Sequence, residues 1–144
     1  MPRNHKRLRR LVADGYTYLW RHCHSHRLEN GRPTDCRQIL TLYPQHPQPP
    51  QHPRRLRPVD GRGPLRIVFA DGPGRYVPGG AYSGSGDVGH MEGADLNLHE
   101  PGAVRALLDA ASARGWHPGV RGVTEVDGWT LLEAAAGGSR AEGP

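Results

Sequence analysis

Apolar and polar positions alternate through the first half of this chain and recur at helical spacing in its last third. Residues 16–26, YTYLWRHCHSH, begin with β-favouring aromatics. On a strand Tyr16, Tyr18 and Trp20 share one side, and Leu19 and Cys23 share the other. Residues 34–43, TDCRQILTLY, alternate as well, setting Cys36, Leu40 and Leu42 against Ile39, Thr41 and Tyr43. Between the two runs lies LENGRP. Asn-Gly signals a two-residue hairpin turn because both central positions of a type I′ turn need positive φ. With Asn30-Gly31 as the turn, Leu19 faces Leu42 and Trp20 faces Thr41. That register lines one face with Leu19, Cys23, Cys36, Leu40 and Leu42. It sends His22, His24 and His26 to the other, beside Asp35, Arg37 and Ile39.

Further on, PLRIVFADG (64–72) reads as a third strand closed by turn residues. The glycine-broken stretch after it has room for short strands near Tyr82 and Leu96 to Leu98. Val104, Leu107, Leu108 and Ala111 form an i, i+3, i+4, i+7 stripe, which predicts a helix over 101–114. Pro101 suits its first position and Gly115 its end. A second helix is expected over 128–136, capped by Asp127 and stopped at Gly137-Gly138. Strands first and helices last argue an α+β fold. The expected architecture is an N-terminal hairpin in an antiparallel sheet, with both helices on one face. Trp116, Trp129, Leu107 and Leu108 would then bury against Leu40, Leu42, Ile67 and Phe69.

Proline and charge set the limits of this domain. Residues 44–58, PQHPQPPQHPRRLRP, lack the donors a strand or helix needs and read as an exposed polyproline-like loop. Residues 1–14 read as a flexible basic arm, in which Leu8, Leu11 and Val12 form at most a short helix, and 137–144 as a disordered tail. The domain between them spans 15–136. Hydrophobic residues make up only 35% of the chain, against about 45–50% in an average domain, so the core is compact. Residues 1–58 carry a net charge of +9 and residues 59–144 a net charge of −4. A basic first half suits an anionic partner such as nucleic acid, and equally a solvated arm and loop. No run approaches the roughly 18 apolar residues of a membrane span, and the basic start has no apolar segment after it. Two cysteines are not a disulfide framework. A cytoplasmic protein without membrane contact is expected.

The densest chemistry is RHCHSHRLENGRPTDC, residues 21–36. His22, His24 and His26 at i, i+2, i+4 project from one strand face about 7 Å apart. With Asp35 from the partner strand they offer a zinc site, although Cys-x₁₂-Cys matches no short zinc-ligand spacing. The competing reading is a polar hairpin end whose imidazoles charge near pH 6 and attract anions. GSGDVG (84–89) fits G-x-G-x-x-G but lacks a strand before it and a helix after it, so it reads as a loop. Serines 83 and 85 with Asp87 and His90, or Asp95, His99 and Glu100, are neighbours in sequence and not a catalytic constellation. No cofactor is expected.

The run GYTYLWRH, GRPTDCRQIL, LRIVFADGPGR, LNLHEPGAVRALLDAASARGW and VDGWTLLEAA resembles uncharacterised small α+β proteins of high-GC bacteria. The resemblance implies the same fold and domain limits and carries no catalytic motif. The leading expectation is a non-catalytic protein that binds a macromolecule, another protein first. Its contact surface would be an exposed row of Tyr16, Tyr18, Trp20 and Ile39, which would serve a homodimer seam equally well. The second is a nucleic-acid-associated protein using Arg7, Arg9 and Arg10 of the arm and Arg54, Arg55 and Arg57 of the loop. The third is a metal-binding protein or metalloenzyme centred on the three histidines.

Overall fold

A computed structural model describes residues 8–45, 62–77, 86–90, 93 and 95–141. Five N-terminal and internal segments form one sheet in the order β1-β2-β3-β4-β8: β1 (Arg9–Ala13), β2 (Tyr16–Glu29), β3 (Arg32–Pro44), β4 (Arg62–Ala70) and β8 (Gly122–Asp127). A smaller sheet joins β5 (Arg75–Tyr76), β6 (Asp87–His90) and β7 (Asp95–Asn97). Helices α1 (Pro101–Ala113) and α2 (Trp129–Ala141) pack on each other and on one face of the large sheet. Leu107, Leu108, Trp116 and Trp129 share one core with Leu40, Leu42, Ile67 and Phe69, as the periodicity predicts. The fold is α+β. No helix of the described residues is long and apolar enough to cross a membrane.

Several local expectations shift. The sheet is mixed and not antiparallel throughout, because β8 runs parallel to β4. A parallel neighbour needs a long crossover, supplied here by the small sheet and α1. Residues 9–13, expected in a flexible arm or a short helix, form an edge strand instead. The Asp14-Gly15 turn, with φ of 53° and 83°, folds β1 back on β2. Helix α2 continues through Gly137-Gly138 to Ala141, past the expected stop. Asp127 does cap it, accepting the Trp129 N–H at 3.0 Å. Most of the proline-rich loop, residues 46–58, lies outside the described residues.

The decisive shift is inside the hairpin. Next to the turn Glu29 faces Arg32 and Arg27 faces Thr34, the register that Asn30-Gly31 sets. Between these pairs and Ser25/Arg37, β3 holds one residue more than β2. Asp35 there has φ of 53°. A one-residue bulge exchanges the faces of everything beyond it. Trp20 therefore faces Leu42, His22 faces Leu40 and Cys23 faces Ile39. Aspartate tolerates the left-handed region better than most residues, whereas a β-branched side chain does not. Asp35→Gly is expected to leave the urea midpoint unchanged or raise it, and Asp35→Val to cost about 1–2 kcal/mol. Equal midpoints for the two variants would mean that the bulge does not depend on this conformation.

Candidate functional site

The exchange of faces carries Tyr18 and Trp20 to the helix side, where they are 3% and 1% exposed. Tyr18 lies 6.3 Å from Trp116 between ring centroids, and burial pushes its hydroxyl up to about 12. Tyr16, on the same side but at the end of β2, is 39% exposed. Ile39 falls on the opposite face and is 7% exposed. The expected exposed row of Tyr16, Tyr18, Trp20 and Ile39 therefore does not form. Its basis was a hairpin without a bulge.

His22 and His24 follow Trp20 onto the covered side. His22 Nε2 lies 3.2 Å from Nδ1 of His99, at the junction of β7 and α1, with the two rings edge to face. His99 is held in turn by its backbone: its carbonyl accepts from Arg9 Nη1 at 2.7 Å, and its N–H donates to Asn97 Oδ1 at 2.9 Å. His24 Nδ1 is 3.4 Å from Gln38 Nε2, and its ring stacks obliquely on His26 at 5.1 Å. Asp35 pairs with Arg27 at 3.3 Å in the exposed hairpin arm. The four residues suggested for zinc are thus divided among three sets of partners. Among the described residues no three His, Cys, Asp or Glu side chains gather as a metal would need.

Burial, and then the neighbouring His26, lower the pKa of His24 below the usual imidazole value of 6.5. The unfolded chain therefore takes up this proton first as the pH falls. Stability is unaffected by His24 well above pH 6.5 and is lost as the pH drops through 6.5 toward the lowered folded value. Urea midpoints measured across this window should fall on the acid side, and His24→Gln should flatten the slope. An unchanged slope in the variant would assign the loss to other groups.

The opposite face of the large sheet carries neither helix. Strand alternation places Arg10, Val12 and Leu19 there, then Arg21, Cys23 and Tyr43, and then Arg37, Arg66, Val123 and Glu125. Ile39, Thr41 and Val68 at its centre are nearly buried. What solvent reaches is the surrounding ring of side chains: Arg10 and Arg21 are exposed, and Leu19, Cys23, Arg37, Tyr43 and Arg66 half-buried. Val12 and Val123 at the two sheet edges are 55% and 60% exposed. Arg21 lies over the Tyr43 ring and donates to its hydroxyl at 3.3 Å. Arg66 pairs with Glu125 at 3.8 Å. At the hairpin end of this face, Ser25, His26, Arg27, Asp35, Arg37, Ala70 and Asp71 line an open recess of about 360 Å³.

The two thiols are free and differ in setting. Cys23 is half-buried on the helix-free face. Cys36 is buried, and that burial, with Asp71 and Asp35 nearby, pushes its thiol up. Of the arginines suggested for nucleic acid, Arg9 is engaged on the helix side, 4.7 Å over the Trp20 ring and bonded to His99. Arg10 is on the helix-free face. Arg7, Arg54, Arg55 and Arg57 lie outside the described residues. The contribution of His99, Arg66 and Tyr43 was not visible in the sequence, since each gains its role only through register or a long-range contact. Comparison with protein-family models, curated proteins and solved structures finds no match for this chain.

Proposed function

We propose that the protein is a non-catalytic binding protein that docks another protein on the helix-free face of its five-stranded sheet. The observation that supports this reading is the composition of that face: partly exposed Val12, Leu19, Tyr43 and Val123 span all the width from β1 to β8. Of these, Tyr43 and the surrounding arginines are of the types enriched at protein interfaces. A photo-crosslinking residue at Leu19, compared with one at Ser112 on the outer side of α1, tests it. The reading expects one protein captured at position 19 and not at 112. That protein, once purified, should bind the wild type and lose affinity for Leu19→Glu. Capture of a second copy of this chain would make the face a dimer seam. Equal capture at both positions, or none, would remove the docking reading.

A nucleic-acid partner is the second reading, favoured by the same arginines. Binding of a generic duplex at low salt that weakens by orders of magnitude at moderate salt would favour it, and no duplex binding at low salt would remove it.

A further inference from the structure

The arginines of the helix-free face are distributed in a pattern that identifies what it would take. Arg21 on β2 and Arg66 on β4 lie at one level, with Thr41 of β3 between them. Arg10 sits one strand outward, beside Leu19, and Arg37 further along β3, beside the recess at the hairpin end. Among the described residues only Arg66 of these four has a carboxylate partner. The Tyr43 ring and hydroxyl already fix the direction of Arg21. Its guanidinium is therefore preorganised, which reduces the ordering entropy lost on binding.

Apolar groups alternate with these cations: Leu19 between Arg10 and Arg21, and Ile39 between Arg37 and the Arg21–Arg66 level. A single-stranded nucleic acid would want several exposed aromatic platforms for its bases. Tyr43 is the one aromatic that alternation places on the described part of this face, and Arg21 covers it. An extended protein segment with alternating carboxylates and aliphatic residues matches the same layout. Its side chains repeat at about 7 Å on one face, and bidentate carboxylate–guanidinium pairing is strong and directional.

Resting on the docking reading above, we infer that the partner segment is acidic and extended, and that it lies across β1 to β4 with its carboxylates on Arg10, Arg21 and Arg37. Arg66, already paired with Glu125, contributes less. The end of the segment reaches the recess beside Arg37, where Asp35 is already paired with Arg27.

The test uses the full chain and two synthetic ten-residue peptides, one alternating Glu with Val and one alternating Gln with Val, with a single-stranded oligonucleotide as the third probe. Binding is followed by amide chemical shifts. The Glu peptide is expected to shift Arg10, Thr17–Cys23 and Arg37–Tyr43 while leaving α1 and α2 unmoved, and the Gln peptide to bind at least about tenfold more weakly. Arg21→Glu with Arg37→Glu should reduce the affinity by a similar factor. Arg114→Glu, at the far end of α1, should leave it within about twofold. Equal binding of the two peptides, or shifts that fall outside β1 to β4, would overturn the assignment. So would tighter binding of the oligonucleotide to the same face. If crosslinking at Leu19 yields a genuine protein partner while the Glu peptide fails, the docking reading stands and the acidic character of the partner falls.

Discussion

Trp20→Ala is expected to cost about 3–5 kcal/mol, the range for removing a buried large aromatic, and so a large part of the stability of a domain this size. Trp20 is 1% exposed and sits in the core that joins the hairpin to the helices. Arg9 lies over its ring and at the same time holds the His99 carbonyl, so the truncation also loosens the tie between β1 and the start of α1. A urea titration followed by far-UV circular dichroism measures the loss. The register without the bulge makes the opposite forecast: an exposed Trp20 whose removal changes stability by no more than a few tenths of a kcal/mol. The same experiment therefore decides which face the residue occupies.

Gly63→Ala should be comparably damaging for a different reason. A Cβ at position 63 would fall inside the backbone carbonyl of Gly122, where β4 and β8 meet in parallel. Backbone atoms cannot rotate away as a side chain can, so the two strands must separate at that end. We expect a loss exceeding about 4 kcal/mol, or failure to fold. Gly102→Ala is the control, because nothing lies within 4 Å of its added Cβ and it stands in the first turn of α1. There alanine should stabilise by about 0.5–1 kcal/mol by restricting the unfolded chain. Similar midpoints for the two variants would show that β4 and β8 do not approach as closely at Gly63.

What could be read from the residues and what could not divides along physical lines. The helix stripe at Val104, Leu107, Leu108 and Ala111, the Asp127 cap and the Asn30-Gly31 turn are local signals, and all three are present in the fold. Strand β8 is not legible because a six-residue edge strand, most of it exposed, has little apolar alternation of its own and is defined by pairing with β4. Strand β1 is hard to read because its arginines resemble a solvated arm, although Asp14-Gly15 is itself a hairpin signal. The bulge has the weakest signature of all. Only the tolerance of Asp35 for positive φ marks it, and a single extra residue was enough to exchange the surfaces on which the histidines and the arginines stand.

That exchange also explains why the histidines and Asp35 have separate partners among the described residues. On the covered side His22 meets an imidazole from a distant segment, and His24 meets a buried glutamine. Both interactions depend on contacts across more than a dozen residues, which no local spacing encodes. The surface without helices is the arginine-bearing one, and its half-buried thiol, Cys23, makes it directly measurable.

Native-state thiol labelling, read by mass spectrometry, tests the placement of the two sheet faces most directly. Cys23 stands half-exposed on the helix-free face, whereas Cys36 is buried and its thiol pushed up. At neutral pH a small maleimide should modify Cys23 within minutes and Cys36 only after denaturant is added. Equal protection of the two thiols, or faster modification of Cys36, would contradict the register and the docking surface built on it.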